Sequence, residues 1–248
     1  MAVSALSLSE TPGLASTATW STYQHDPARS GQDLDQPALT SARLDWTAAV
    51  DGPVYAQPLV VGARVYVATE NNSLYAFDAT LGSPAWHQAL VGAVPNGSLP
   101  CGNISPSVGI TSTPVIDTGA NVLYAVGLVE QPSIHHELWA VDLTNNGAVL
   151  YHYPIDPPGA DPTVQGQRGA LTLANRLVYV PFGGRYSDCG TYHGYVVGVH
   201  TGDCTGNKLV YQNTTQATRA VASGARLVQP SMGRAISGWL AATAVTST

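Results

Sequence analysis

The stretch SLYAFDATLGSPAW, from Ser73 to Trp86, carries the pattern that decides the fold of this chain. Its first six residues form a short apolar and aromatic run that ends at Asp78, and such runs are typical of β-strands. We predict that Asp78 accepts hydrogen bonds from the following turn and that Gly82 supplies its left-handed residue. We also predict that Ala76 lets neighbouring sheets approach closely and that Trp86 covers the next sheet. All four predicted roles are structural.

The same unit recurs, and the three copies span about residues 55–90, 111–155 and 167–213. Each copy holds four short runs bounded by Gly, Asn, Asp or Pro, which is the pattern of antiparallel hairpins. A single sheet of this kind cannot bury both of its faces, whereas sheets stacked around an axis can. The sequence therefore predicts an all-β fold, a partial β-propeller of about three four-stranded antiparallel blades. Propellers have roughly four to eight blades, so the ring is incomplete, and its open sheet edges predict self-association.

The repeat resembles the tryptophan-docking motif of the propellers that bind pyrroloquinoline quinone (PQQ), which reads A-x-D-x-x-T-G-x-x-x-W. Leu81 stands where that motif has Thr, and in the second copy Ala140 and Asp142 match but no Trp follows. The segments TWSTYQHDPARSG and PCGNISPSVGITSTPVID are also similar to exported bacterial proteins of this superfamily. The resemblance covers the chain from Trp20 to Asn213. It implies a truncated bacterial member with a quinoprotein-dehydrogenase-like propeller, located in the periplasm or outside the cell.

The resemblance implies more than one function. The PQQ-dependent dehydrogenases use calcium, a catalytic aspartate and an adjacent Cys-Cys pair, and we find no matching residues here. Other members, such as the scaffold lipoprotein of outer-membrane barrel assembly, bind no quinone. The sequence therefore favours an exported, non-catalytic scaffold or ligand-binding module with a small-molecule or protein ligand. The alternative is a fragment of a PQQ-dependent dehydrogenase, and a glycan-binding propeller with Tyr186 and Tyr192 at its mouth is a third hypothesis.

Composition limits the classes of partner. The 248 residues carry a formal net charge of -6 and only 10% charged residues. An acidic chain with few cations has no basic face to neutralise phosphates, so we expect no nucleic-acid partner. No run of 18 or more apolar residues occurs, so the sequence predicts no membrane-spanning helix.

The loops that join or interrupt the copies carry the candidate ligand-binding residues. If the blades stack, these loops meet at one mouth of the propeller, which is where ligands of such folds bind. We predict a polar cluster there, composed of Asn103, Arg168, Arg185, Asp188 and His193. The alternative is an ordinary hydrogen-bonded cluster that orders the long loops, and the sequence favours this simpler interpretation.

Three cysteines lie in glycine-containing loops, and none has the C-x-x-C spacing of zinc or thioredoxin-type sites. A disulfide between Cys101 and Cys189 would join the loops of successive copies, and we favour this pairing. A disulfide between Cys189 and Cys204 is the first alternative, and three reduced cysteines are the second. His135 and His136 resemble a metal pair, but adjacent strand residues point to opposite faces, so we predict no metal site.

The ends of the chain lack the repeat. Residues 1–19 are predicted to be a leader, disordered or a degenerate signal segment, because a charged start is missing and Glu10 and Pro12 interrupt the apolar patch. Residues 20–213 form the predicted propeller. Residues 214–248 contain three arginines and no acidic residue. We interpret this tail as a frameshifted translation of a longer propeller gene, with a genuine Ala/Ser-rich terminal segment as the alternative.

Overall fold

The computed structural model describes residues 2–8, 19–33, 42–202 and 205–212. Within these residues the structure is all-β, and a single 3-10 turn at Asn96–Ser98 accompanies the strands. The predicted fold class is confirmed. The three sequence copies form three antiparallel sheets, which are the blades of a partial β-propeller, and the described part of the chain does not close a ring.

The first blade follows two strands from the N-terminal part of the chain. Its sheet has the order β2-β4-β5-β6-β7, in which a short strand from residues 19–20 adds to the inner edge of a four-stranded meander. The strands are β1 (Ala2–Leu8), β2 (Thr19–Trp20), β3 (Ala42–Ala49), β4 (Leu59–Val61), β5 (Arg64–Ala68), β6 (Ser73–Asp78) and β7 (Pro84–Ala89).

The second and third blades repeat this meander. A small two-stranded sheet, β8 (Val94–Pro95) with β9 (Ser107–Val108), precedes the second blade. The second blade has β10 (Val115–Asp117), β11 (Val122–Val129), β12 (His135–Asp142) and β13 (Ala148–Pro154) in sequential order. The third has β14 (Gln165–Gly166), β15 (Thr172–Ala174), β16 (Leu177–Gly184), β17 (Tyr195–His200) and β18 (Lys208–Gln212), with β14 and β15 both paired to β16.

Two apolar cores lie between the three blades. On β12, Trp139 and Val141 pack toward the first blade, whereas Leu138 and Ala140 pack toward the third. The central strands of the second blade are therefore buried on both faces, which explains why β11 is apolar throughout, since successive strand residues face opposite sides. On β18, the outermost strand of the third blade, three apolar residues are exposed: Leu209, Val210 and Tyr211.

A tryptophan docks on a glycine in the last turn of a sheet at two places. Trp46 of β3 lies against Gly82, and Trp86 of β7 lies against Gly147 of the second blade. Both glycines have positive φ, +66° and +76°, so each satisfies a turn and makes room for an indole. In the first turn Asp78 accepts hydrogen bonds from the N–H groups of residues 80 and 81, both at 3.0 Å.

The segment 19–33 crosses all three blades. Its strand β2 pairs with β4 of the first blade, and the Ser21 carbonyl accepts a 2.9 Å hydrogen bond from the Ile116 N–H of the second. Arg29 is only 4% exposed and donates to the Leu171 carbonyl at 2.9 Å and to Thr172 Oγ1 in the third blade. The segment thus ties the inner strands of the blades together.

The terminal predictions lie largely outside the described residues. Residues 2–8, which we assigned to a leader, form β1 and pair with β3 over Ala2–Leu8. Residues 9–18 and the tail at 213–248 are not described by the structure, so the leader and frameshift hypotheses stay predictions there.

Candidate functional site

A cleft that opens to solvent lies between the second and third blades. Three groups of residues line it: the loop from Gly102 to Thr111, the segment from Gly166 to Arg168, and the strand ends at residues 127–128, 136 and 184–186. The cleft is therefore built where the second strand of a blade ends and the third begins. Loops from different repeats meet at this end of the sheets.

The hairpin between β5 and β6 of the first blade closes the back of the cleft. It carries Glu70 and Asn72, and the two cleft glycines Gly109 and Gly127 give it space. A Cβ on Gly109 would lie 2.6 Å from the Glu70 carbonyl oxygen, a distance that side chains do not tolerate. Glycine at these positions is thus a packing requirement that lets the first blade reach the cleft wall.

Glu70 is a fully buried carboxylic acid directly behind this wall. Its Oε2 accepts a 2.7 Å hydrogen bond from the Gly109 N–H and a 3.1 Å hydrogen bond from Thr111 Oγ1. Its Oε1 is buried and has no protein partner. Burial raises the pKa of Glu70 to about 7, although these hydrogen bonds and the positive charges of Arg168 and Arg185 act in the opposite direction.

Two arginines supply the positive charge of the cleft. Arg185 is held in place, because its Nε donates to the Thr163 carbonyl at 2.8 Å and its Nη2 donates to the Pro162 carbonyl at 3.0 Å. Burial lowers the pKa of Arg185 to about 10, so the guanidinium stays charged at neutral pH. Arg168 is exposed at the rim, with its guanidinium carbon 5.9 Å from the centre of the Tyr55 ring.

A histidine and a glutamine complete the polar lining. The Nδ1 of His136 lies 2.6 Å from Asp156 Oδ1, and the His136 N–H donates to Asp156 Oδ2 at 2.9 Å. Burial lowers the pKa of His136 and outweighs the effect of the Asp156 charge, so the ring is neutral and donates to Asp156 through Nδ1–H. Gln167 is held by its amide group, which donates to the Gly169 and Pro181 carbonyls, and its buried Oε1 has no protein partner.

The structure brings three of the five candidate ligand-binding residues to the cleft and leaves two outside it. Asn103, Arg168 and Arg185 line the cleft. Asp188 accepts a 2.5 Å hydrogen bond from the Tyr192 hydroxyl, and the peptide groups of His193 bond to Gln165. The inserted loop turns back on itself at Ser187 and Asp188, which both have positive φ, and this turn carries the last two residues away.

The tyrosines of the glycan hypothesis also occupy different positions. Tyr186 is 65% exposed and lies at the cleft, where it offers a ring to solvent. Tyr192 is only 4% exposed, and its ring covers Gly184 so closely that no Cβ would fit there. Of this pair, Tyr186 alone presents an aromatic surface to a ligand.

A disulfide joins the two walls of the cleft. Cys101 and Cys189 are bonded, with their Cα atoms 6.0 Å apart and a sequence separation of 88. Cys101 precedes the lining residues 102–104, and Cys189 lies in the loop that begins at Arg185. The bond therefore fixes the distance between the loop that enters the second blade and the loop inserted in the third. Cys204, the other candidate partner, lies outside the described residues.

Comparison with known proteins places these sheets in a known architecture. A family model described as the outer membrane protein assembly factor BamB matches residues 38–109. A europium-containing methanol dehydrogenase aligns at 19% identity with a TM-score of 0.58, over 79% of this chain and 32% of that chain. The described part of the chain has the fold of a PQQ-like β-propeller.

Two further solved structures resemble this PQQ-like propeller. The quinohemoprotein alcohol dehydrogenase of Comamonas testosteroni aligns at 18% identity with a TM-score of 0.50, over 65% of this chain and 21% of that chain. BamB of Moraxella catarrhalis aligns at 16% identity over 70% of this chain and 56% of that chain, and its TM-score of 0.43 is too low to carry an argument. No curated protein sequence matches the chain. At these identities the likeness establishes the fold alone, and the chain spans less than a third of either dehydrogenase.

The residues of the PQQ-like propeller fit only part of the cofactor set that its family resemblance implies. Arg168 and Arg185 suit the carboxylates of a quinone such as PQQ, since guanidinium groups bind carboxylates in a fork. In the ranges that the structure describes, however, no three His, Cys, Asp or Glu side chains lie together as a metal site. The bonded cysteines lie far apart in sequence rather than adjacent. The cleft therefore offers two guanidinium groups that suit an anion.

The described part of the propeller also holds no helix long and apolar enough to cross a membrane.

Sequence reasoning did not assign three residues to the cleft or to the wall behind it: Glu70, His136 and Gln167. It considered His136 only as one of two possible metal ligands. Glu70 lies in the hairpin sequence TENNS, which is typical of an exposed turn. Nothing in this local pattern indicates that Glu70 is buried. Its glycine partner, Gly109, lies in the loop before the second repeat, so no signal within a single repeat could have revealed this contact.

Proposed function

We propose that this protein is an exported, non-catalytic propeller that binds a small carboxylate-bearing molecule in the cleft between its second and third blades. The observation that carries the proposal is the pairing of Arg168 and Arg185 at one cleft in a chain of net charge -6. Two cations in an acidic protein, together at a concave and partly apolar site, favour an anionic ligand.

The two arginines have different roles in this proposal. Arg185 is fixed by two backbone carbonyls, so it offers a preorganised charge at low entropic cost. Arg168 at the rim is free to turn toward a ligand and close a fork on its carboxylate. The exposed Asn103 side chain and the unpaired Gln167 Oε1 add a donor and an acceptor that would orient the remainder of the ligand.

A fragment of a PQQ-dependent dehydrogenase is the alternative, and the same arginines would suit the carboxylates of that quinone. The ligand-binding proposal is preferred because it needs only the two arginines that line the cleft. A scaffold role for a protein partner is compatible with it, since the matching family description concerns an assembly factor of the outer membrane. That description also supports export, to the periplasm or outside the cell.

Titration calorimetry of the full chain with benzene-1,3,5-tricarboxylate tests the proposal. This probe carries three carboxylates on a planar ring and contains no quinone. We expect saturable binding to one site, weakened about tenfold or more in Arg168→Ala, because a charged hydrogen-bonded pair contributes roughly 1.5–3 kcal/mol. Arg64→Ala is the matched control, since Arg64 pairs with Asp78 in the first blade.

The outcomes separate the two candidate functions. Binding of the tricarboxylate without calcium supports the anion-binding module. A lack of binding to a folded chain refutes it. Binding of PQQ that depends on calcium, with no binding of the tricarboxylate, favours the dehydrogenase fragment.

A further inference from the structure

We propose that the cleft takes up a proton at Glu70 when it binds an anion, because the anion and ionised Glu70 compete for the same two arginines. The inference rests on the proposed function, since it concerns the regulation of the same cleft. It would make ligand binding dependent on pH near neutrality, with tighter binding on the acidic side.

The position of Glu70 is the first argument. Its side chain is fully buried at the back of the cleft, and the two groups that bond to its Oε2, Gly109 N–H and Thr111 Oγ1, both belong to the cleft lining. Its Oε1 is buried without a protein partner. A carboxylate held in this way is only half satisfied, and protonation at the unpaired oxygen removes the cost of burying the charge.

The charges around Glu70 are the second argument. The cations that act on it are Arg168 and Arg185, and these are the groups proposed to hold the ligand. Ionised Glu70 is thus attracted to both guanidinium groups, and a bound anion would add a second negative charge beside them. Because like charges disfavour each other's ionised form, the anion would shift Glu70 toward its neutral form.

The other titratable groups near the cleft are not expected to take up this proton. His136 lines the cleft, but it is fixed on Asp156 by a 2.6 Å contact. Asp156 and Asp161 act on Arg185 from the second blade and from the loop before β14, and Asp156 is stabilised as an anion by hydrogen bonds from His136, which outweigh its burial. Glu70 is therefore the acidic group near the cleft whose pKa, about 7, lies within the neutral range.

The sign of the linkage follows from reciprocity. If the anion favours protonated Glu70, then protonated Glu70 favours the anion by the same factor. If the anion binds only when Glu70 is protonated, a pKa of about 7 for Glu70 gives an affinity about tenfold higher at pH 6 than at pH 8. It also gives an uptake of roughly half a proton per ligand at pH 7.

Calorimetric titration of the full chain with benzene-1,3,5-tricarboxylate at pH 6 and pH 8 tests the inference, because this probe stays fully ionised between them. We expect about a tenfold loss of affinity at pH 8 in the wild type and a clearly smaller loss in Glu70→Gln. Asp117→Asn is the matched control. Asp117 pairs with Val122 at the start of β11, whereas Gly127, which lines the cleft, lies near the other end of that strand. This variant should keep the wild-type ratio.

A second measurement covers the case in which Glu70→Gln does not fold. Titration of the wild type at pH 7 in two buffers with different ionisation enthalpies reports proton uptake directly. Uptake near half a proton supports the inference. Binding without proton uptake, or a pH ratio as large in Glu70→Gln as in the wild type, overturns it while the proposed function stands. No binding at either pH refutes the proposed function, and the inference with it.

Discussion

The indole of Trp86 lies against Gly147 of the next blade, so close that a Cβ on Gly147 would be 2.7 Å from two of its ring carbons. Trp46 stands in the same relation to Gly82 one repeat earlier. The contact couples the outer strand of one sheet to the last turn of the next sheet, and thereby sets the spacing between blades.

Gly147→Ala should therefore destabilise the protein by about 2–4 kcal/mol, because overpacking against the indole adds to the cost of a non-glycine residue at φ +76°. Gly159→Ala is a matched control, since Gly159 has the same φ of +76° and no atom within 4 Å of a Cβ. It should cost only about 1 kcal/mol. Urea unfolding followed by circular dichroism measures both, and equal losses would show that the Trp86 contact has no energetic weight.

The Cys101–Cys189 disulfide leads to a prediction about the unfolded chain. Its closed loop of 88 residues restricts the denatured ensemble, and such bonds contribute roughly 2–5 kcal/mol. The double variant Cys101→Ser/Cys189→Ser should lose about this much stability, and reducing agent should lower the melting temperature of the wild type but not that of the variant. A melting temperature of the wild type that does not change on reduction would contradict the prediction.

Arg29 is expected to be the strongest single anchor of the segment 19–33. It donates to the Tyr23 carbonyl at 2.7 Å and to the Leu171 carbonyl at 2.9 Å, besides Thr172 Oγ1. Arg29→Ala leaves these acceptors unpaired and should cost at least about 3 kcal/mol. Arg29→Lys should restore only part of this, since an ammonium group cannot span both carbonyls as a guanidinium does.

The partly exposed Arg64, which bonds to Asp78, gives the comparison for Arg29. Arg64→Ala should cost no more than about 1 kcal/mol, because surface ion pairs contribute little. Chemical denaturation of Arg29→Ala, Arg29→Lys and Arg64→Ala measures these losses of stability. A loss in Arg29→Ala as small as that in Arg64→Ala would mean that the segment 19–33 is held by its strand pairing alone.

Local pattern was sufficient for much of the fold. The run that ends at Asp78 and the turn glycine Gly82 follow from propensity and turn chemistry, and these features recur in each repeat. The pairing of β1 with β3 was not predicted, because it joins segments outside the repeat. Arg168 and Arg185 were placed at one mouth because stacked repeats bring equivalent loops together.

The chemistry of the cleft was less accessible to sequence reasoning. Burial of Glu70 depends on Gly109, which lies 39 residues away in the loop before the second repeat, and no period within the chain encodes that approach. Likewise His136 is oriented by Asp156 across a sheet edge. Asp188 and His193 were grouped with the arginines, but the course of the inserted loop, set by its own turn, carries them elsewhere.

Glu70 should also make the stability of the protein depend on pH. Its pKa in the folded chain is about 7, against 4.5 for an ordinary glutamate, so between these values the folded state binds more protons than the unfolded state. Stability contributed by this group therefore falls as pH rises from about 4.5 to about 7. A pKa difference of this size corresponds to roughly 3 kcal/mol in the free energy of unfolding. This contribution is fully lost once the pH exceeds the pKa of Glu70 in the folded chain.

The opposite slope of other groups must be separated from this effect. Burial lowers the pKa of His136, so that residue favours folding as pH rises through its unfolded value. The difference between the wild type and Glu70→Gln, measured by urea unfolding from pH 5 to pH 8, isolates Glu70 because His136 is common to both. We expect the wild type to lose stability relative to Glu70→Gln as pH rises. Parallel curves would show that Glu70 titrates at its ordinary pKa, and would remove the physical basis for proton-linked binding in the cleft.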